Sequence, residues 1–213
     1  MERTTYDRQR VYDAWLRILH AWIGLTVLFL VATAWTAEAF EQRPEEATVW
    51  RIHATAGFGL IVGLVARLVW GLVGPASARW TDLVRWRDWL AMLRDRSFGG
   101  VTRFGHHPLA SAAYVALYGV LAMMGMTGIG LAAIEHDLGP LATQLYDSVW
   151  LEGFLEGPHE VGALAVVGFV VLHLAAIVWH ERRDGVPIAQ AMISGYQYRR
   201  VDASPPKEVH DAK

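Results

Sequence analysis

The sequence predicts an all-α integral membrane protein, a four-helix bundle with both termini in the cytoplasm and short amphipathic interfacial helices in its loops. Three observations predict this fold. Four apolar stretches are long enough to cross a bilayer, basic residues cluster in alternate connections, and four histidines fall inside the apolar stretches. A hydrocarbon core of about 30 Å needs roughly 20 helical residues. The composition, 54% hydrophobic and 19% charged, is more apolar than that of an average soluble domain.

The apolar stretches define the predicted spans. They cover about residues 16–37, 52–74, 109–134 and 159–179. We assign residues 1–200 to one transmembrane domain and residues 201–213 to a polar, disordered cytoplasmic tail. The first stretch could instead be a cleaved signal peptide, since Ala37–Ala39 has a small-residue pattern. Its apolar run is longer than a signal peptide needs, which favours a retained span.

Basic residues predict the orientation. Nearly all lysines and arginines lie in the N-terminal tail, the loop between the second and third spans, or the C-terminal tail. The loop between the third and fourth spans has none and carries acidic residues instead. The positive-inside rule therefore places both termini and the middle loop in the cytoplasm. This topology describes a multi-pass membrane protein.

Two loop segments have amphipathic patterns. Residues 82–94 (DLVRWRDWLAMLR) alternate large apolar side chains and arginines at helical spacing, and residues 140–155 are a weaker amphipathic case. We expect helices that lie flat at the membrane interface. A docking surface for a partner protein is the alternative.

The four intramembrane histidines sort by depth. His20 and His173 lie toward the cytoplasmic ends of the first and fourth spans, whereas His53 and His159 lie toward the outer ends of the second and fourth. Fourteen residues are close to four helical turns, so His159 and His173 share a face and lie about 21 Å apart along the axis. The histidines therefore form two level pairs, each joining the fourth span to another span.

This arrangement suits two haems, each bound by two histidines. Ionisable side chains inside a membrane are costly and are usually functional, and a bis-His haem needs imidazoles on opposing helices at one depth. The chain has no cysteine, which excludes thiolate ligation, iron–sulfur clusters and covalent c-type attachment. The predicted cofactors are therefore two non-covalent haem b groups, with His20, His53, His159 and His173 as iron ligands.

Other residues are candidate contacts of the haems. Gly24 and Gly57 follow His20 and His53 by four residues and could leave room for a porphyrin, although ordinary helix packing also uses glycine. Arg17 and Arg67 lie on the cytoplasmic side, where either could pair with a haem propionate. The alternative for both arginines is simple extension toward the polar interface.

Two other interpretations of the histidines remain. Each could be a buried polar side chain that bonds a neighbour. They could also serve zinc transport, which would favour closer-spaced histidines together with carboxylates inside the spans. The predicted spans contain almost no carboxylates.

Several segments of the chain match a known family. These are VYDAWLRILHAW, RIHATAGFGLIVGLVARLVWGLVGP, GHHPLA, the PHE…VVLH spacing and AMISGYQYR. In them the chain resembles the bacterial cytochrome b561 family, which is grouped with the b-type cytochrome subunits of nickel–iron hydrogenases. The resemblance covers nearly the whole chain up to about Arg200. It implies a four-helix di-haem cytochrome with the same two histidine pairs, and electron exchange with quinone and a redox protein.

The expected function is membrane electron transfer between a quinone pool and a partner, which would be a hydrogenase, a dehydrogenase or a cytochrome c. Bis-His ligation leaves no open iron position, so outer-sphere electron transfer is the natural role. One alternative is a stand-alone superoxide or quinone oxidoreductase, and whether the chain is itself an enzyme stays open. A haem-free metal transporter or scaffold is the other alternative. Lipid is the expected surrounding, and no nucleic-acid partner is expected.

Overall fold

The computed structural model describes residues 5–84, 86–95, 108–145 and 148–201. In these ranges four helices are long and apolar enough to cross a membrane, namely α1, α2, α5 and α7. The elements, in chain order, are β1 (Thr5–Arg10), α1 (Ala14–Ala39), α2 (Glu46–Val73), a 3-10 turn (Ala76–Ala78), α3 (Trp80–Leu83), α4 (Trp86–Asp95), α5 (Pro108–His136), α6 (Ala142–Leu145), α7 (Val149–Asp184), α8 (Ala189–Ser194) and β2 (Tyr196–Val201).

Local signals set the ends of the long helices. The Asp13 side chain accepts a hydrogen bond from the backbone N–H of Leu16 at 3.0 Å and caps the start of α1. Gly185, with φ of 63°, adopts the left-handed conformation that commonly ends a helix, and it ends α7. Three of the long helices extend beyond both ends of the predicted span, and α2 extends beyond its start, because polar residues can continue a helix outside the apolar run.

The largest difference in length is at α7. It begins at Val149, ten residues before the predicted span, and Pro158 lies inside it. The separate interfacial helix predicted over residues 140–155 is therefore wrong, because this segment holds the short α6 and then the first turns of α7. The acidic residues and the proline end the apolar pattern in the sequence without ending the helix.

The amphipathic helix predicted in the middle loop is confirmed in part. Residues 82–94 belong to two helices, because the backbone leaves the helical conformation at Val84. Trp89 on α4 donates a hydrogen bond from Nε1 to Ser111 Oγ on α5, at 2.9 Å. This loop helix is therefore joined to a long helix. The predicted disordered tail falls almost wholly outside the described residues.

A small β-sheet joins the two ends of the chain. Strand β1 pairs antiparallel with β2, from Thr5 opposite Val201 to Arg10 opposite Tyr196. The all-helical prediction did not include it, since pairing between such distant segments leaves no local pattern. The sheet brings both ends of the described chain to the same end of the bundle, as the predicted topology requires.

The core is an apolar layer halfway along the bundle. Helix α1 packs on α2, α5 packs on α7, and the two pairs meet through α2 and α5. Each long helix contributes one buried residue to the layer, and these residues are Val27, Leu60, Leu121 and Val166. Many large apolar side chains elsewhere on the helices are exposed, among them Leu25, Val62, Leu164 and Leu172. Such a surface is suited to lipid rather than to water.

This layer separates the two levels of histidines. Val166 lies seven residues from His159 and seven from His173, so it shares their side of α7 and is about 10 Å from each along the axis. On α2, Leu60 likewise lies seven residues from His53 and from Arg67. The bundle therefore has two polar levels with packed side chains between them.

Candidate functional site

His20 and His173 meet across the bundle. The two ring centroids are 6.4 Å apart and the ring planes are inclined by 47°. His20 comes from α1 and His173 from α7, two helices that are not neighbours in sequence. Aromatic side chains surround His173, with Phe169 stacked at 5.8 Å and Tyr114 edge-on at 6.0 Å between centroids.

This separation permits a shared metal ion. An imidazole nitrogen binds a metal ion at about 2 Å, as in zinc sites, and the ring centre lies about 1 Å behind that nitrogen. Two imidazoles on opposite sides of one ion are therefore about 6 Å apart between centroids. The rings of His20 and His173 have the spacing that bis-imidazole ligation requires.

At the other level, the His53 side chain is hydrogen-bonded to α1. Its Nδ1 lies 3.0 Å from Thr33 Oγ1 and 3.1 Å from the backbone oxygen of Leu30. The Thr33 hydroxyl also lies 3.0 Å from the carbonyl oxygens of Phe29 and Leu30 on its own helix. Trp50 lies edge-on to the His53 ring, with 5.6 Å between centroids.

His159 repeats this arrangement on the other helix pair. Its Nδ1 lies 2.9 Å from Thr127 Oγ1 on α5. The Thr127 hydroxyl lies 3.0 and 3.2 Å from the carbonyl oxygens of Met123 and Met124. Gly128 lets the ring approach α5, because a Cβ there would be only 3.2 Å from His159 Cε1.

The hydrogen bonds determine which nitrogen carries the proton. A backbone carbonyl can only accept a hydrogen bond, so the Nδ1 that faces Leu30 O must be protonated. The Thr33 hydroxyl can give its single proton to its own helix and accept from the ring. The Thr127 hydroxyl, which lies beside two carbonyl oxygens of its own helix, can likewise donate there and accept from His159 Nδ1. In a neutral ring the lone pair is then on Nε2, which is the nitrogen left to bind a metal ion.

Arg67 is buried rather than extended toward the interface. The residue is 6% exposed, so the alternative of simple snorkelling is wrong for it. The guanidinium carbon lies 4.8 Å from the ring centroid of Trp80 and 5.9 Å from that of Tyr118. Its Nη1 is buried and has no hydrogen-bond partner among the described residues. A buried cation with an unused donor is suited to a carboxylate.

Arg17 has a different role in the structure. It donates hydrogen bonds to the backbone oxygens of Asp13 and, from Nη1, of Ile193. The bond to Ile193 connects α1 to α8. Its pairing with a haem propionate stays a prediction.

The predicted glycines have open surroundings. At both Gly24 and Gly57, a Cβ would have no described heavy atom within 4 Å outside the local helix backbone. Gly162, which follows His159 closely, differs, because a Cβ there would be 2.7 Å from Met124 Cγ. Gly24 and Gly57 therefore border free space, whereas Gly162 serves helix packing.

The sequence interpretation missed Thr33, Thr127 and Gly128. A signal for the threonines was present, since a hydroxyl inside an apolar span must find a partner. The sequence could not predict which helix each hydroxyl would face, because that depends on how the helices pack.

Comparison with known proteins identifies the family. The family profile described as Prokaryotic cytochrome b561 matches residues 11–195. The chain is 26% identical over 217 residues to the "Probable Ni/Fe-hydrogenase B-type cytochrome subunit" of Rhodobacter capsulatus, an alignment that covers 88% of this chain and 80% of that protein. It is 24% identical to the "Probable Ni/Fe-hydrogenase 1 B-type cytochrome subunit" of Escherichia coli, with 88% and 89% covered. No solved structure matches the chain.

The family match includes all four long helices and both levels of histidines. These helices are long and apolar enough to cross a bilayer. A b-type cytochrome carries electrons on non-covalently bound haem, which a chain without cysteine can hold through histidine. The chain therefore belongs to the prokaryotic cytochrome b561 family and is a multi-pass electron-transfer cytochrome of the bacterial inner membrane.

Proposed function

We propose that this cytochrome holds two b haems, one between His20 and His173 and one between His53 and His159, and passes electrons between quinone and a redox protein. The observation that carries the proposal is the 6.4 Å spacing of the His20 and His173 rings across the bundle. Two facing imidazoles at that distance suit a single iron. The shared level of His53 and His159, each with Nε2 free to bind, supports the second site.

The spacing of the histidines favours transfer across the membrane. When bound, each haem would supply a one-electron ferric–ferrous couple with no open coordination position. His159 and His173 on α7 are separated by fourteen residues, about 21 Å of helical rise in a hydrocarbon core of about 30 Å. The two sites together would therefore span most of the bilayer.

Arg67 is the best candidate to hold a haem propionate at the His20–His173 level. Its Nη1 is buried without a partner among the described residues, and Trp80 and Tyr118 fix the side chain. A carboxylate would satisfy that donor and offset the cost of the buried charge. Gly24 and Gly57 would leave room beside the ligand histidines. Arg17 would bind a propionate only after losing one of its hydrogen bonds to a backbone carbonyl.

The names of the relatives favour a hydrogenase as the redox partner. In this proposal a peripheral hydrogenase delivers electrons to the cytochrome, and quinone in the membrane accepts them. A dehydrogenase or a cytochrome c, as an alternative partner, would exchange electrons with the same two haems. The distribution of basic residues supports a cytoplasmic location for both termini.

A zinc transporter fits the site less well. Zinc sites in proteins use three or four ligands that converge on one point. Within the described residues, no group of three or more His, Asp or Glu side chains could hold a metal ion. His20 and His173 face each other as a pair, which is the arrangement that bis-His haem ligation requires.

The test is a dithionite-reduced minus oxidised absorption spectrum of the purified protein, with haem counted as the pyridine haemochrome. We expect b-type bands and about two haems per chain, because four axial histidines serve two irons. Absence of haem from protein made with ample haem supply would refute the proposal. Quinone reduction by the chain alone would favour a stand-alone oxidoreductase, whereas reduction only with added hydrogenase would favour the subunit role.

A further inference from the structure

We propose that Thr33 and Thr127 are paired positioning residues that fix the histidines of one haem only and lower its reduction potential. The inference rests on the proposed function and adds two residues and an electronic effect to it. It starts from a repeated geometry. Each threonine lies on the helix that packs against the one carrying the histidine, and each hydroxyl lies 2.9–3.0 Å from a histidine Nδ1.

The two contacts match in detail. Thr33 and Thr127 both place Oγ1 within 3.2 Å of two carbonyl oxygens of their own helices, three and four residues back. At His53 the ring also hydrogen bonds the backbone oxygen of Leu30, three positions before the threonine. The α1–α2 and α5–α7 pairs therefore present the same motif to opposite sides of one level.

The geometry indicates the direction of each hydrogen bond. At His53 the Leu30 carbonyl can only accept, so Nδ1 carries the proton and Thr33 Oγ1 accepts it. Thr127 has the same two carbonyl contacts on its own helix, so its hydroxyl can donate there and accept from His159 Nδ1 in the same way. This bond holds the ring in one tautomer and one orientation, with Nε2 toward the iron. A ring that donates through Nδ1 is a stronger electron donor through Nε2, and such partners are known to tune metal sites. Stronger donation favours the ferric state and lowers the potential.

The other level has a different environment. In the described part of the chain, the neighbours of His173 are the aromatic rings of Phe169, Tyr114 and His20. These rings hold His173 by packing. At the His53–His159 level, each histidine instead has a hydrogen bond to a threonine hydroxyl. The threonines therefore give the haem at this level the lower potential of the two. Electrons then flow from this level toward the haem of His20 and His173.

The experiment is a potentiometric titration of the purified haem-loaded protein and its Thr33→Val and Thr127→Val variants. Valine has nearly the same shape and lacks the hydroxyl. We expect both variants to keep two haems, and one of the two redox waves to shift to higher potential, the same wave in both. The expected change is up to about tenfold in the ferric–ferrous equilibrium, which is about 59 mV for one electron. The ferric EPR signal of that haem should change as well.

Two matched variants complete the design. Thr33→Ser keeps the hydroxyl and should restore the original potential. Thr36→Val is the control, since Thr36 lies on the same helix, bonds Ala32 O at 2.7 Å in the same way, and is exposed. It should leave both waves unchanged.

The outcomes separate the inference from the proposed function. Two unshifted waves in both valine variants, with two haems retained, would overturn the inference and leave the di-haem proposal standing. Shifts in different waves would show that His53 and His159 do not share a haem, which would overturn the pairing and the inference together. If a valine variant loses haem, the serine variant at the same position decides the outcome. Haem binding restored by serine supports the role of the hydroxyl, and haem loss in the serine variant as well overturns the inference.

Discussion

The guanidinium carbon of Arg67 lies 4.8 Å from the centre of the Trp80 ring, inside the bundle rather than at its edge. Trp80 is thirteen residues further along the chain, in the short helix α3, and its Nε1 donates a hydrogen bond back to Leu68 O at 3.1 Å. The middle loop thus folds over the end of α2. A charge buried in this way needs partners on all sides, and Nη1 still lacks one among the described residues.

Replacing this charge should affect the haem next to it. We expect Arg67→Gln to lower the midpoint potential of the haem held by His20 and His173, because a nearby positive charge favours the reduced state. The measurement is a potentiometric titration of both haems. Arg43→Gln is the control, since Arg43 makes a similar contact with Phe40 but is exposed in the first loop. An unchanged potential in Arg67→Gln would remove Arg67 from the haem site.

Single histidine replacements should remove haems in a fixed pattern. His20→Ala and His173→Ala should each lose the same haem, and His53→Ala and His159→Ala should each lose the other, as two-ligand iron sites require. Haem counting and low-temperature spectra distinguish the two. His136→Ala, at the end of α5 beside Glu135, should retain both. Loss of different haems by His20→Ala and His173→Ala would contradict the pairing.

The central layer should matter for stability more than for redox chemistry. Leu60 is 6% exposed and packs in the layer between the two levels, so Leu60→Ala should leave a cavity. We expect a loss of about 2 kcal/mol, near the low end for buried leucines, because lipid removes part of the hydrophobic contribution. Leu68→Ala is the matched control on α2, since Leu68 is 53% exposed. Reversible unfolding in detergent measures both, and equal losses would show that the layer is not a packed core.

The glycine at position 128, beside His159, should be essential. A Cβ at Gly128 would lie 3.2 Å from His159 Cε1, so Gly128→Ala should push the ring out of place and weaken haem binding at that level. Gly119→Ala on the same helix is the control, because a Cβ there meets no described heavy atom within 4 Å outside the local backbone. Haem retention on dilution or heating measures the effect. Equal retention by the two variants would show that the ring can move aside.

The predicted levels of the histidines depended on distance along each helix and on the alternating direction of the spans. His159 and His173 were expected on one face because of their spacing, and the facing rings of His173 and His20 are consistent with that expectation. The burial of Arg67 could not be predicted in the same way. Its position near the end of an apolar run suggested an interfacial side chain, but Trp80 from the middle loop and Tyr118 on α5 both lie against its guanidinium.

The sequence by itself determined the spans, their alternation and the two depths of the histidines. These properties follow from hydropathy, charge and a rise of about 1.5 Å per residue, all of which are local. Only the tertiary structure decided that Thr33 meets His53, that Thr127 meets His159, and that β1 pairs with β2. The physical reason is that these contacts join separate elements, and their partners depend on how the helices rotate and pack against one another.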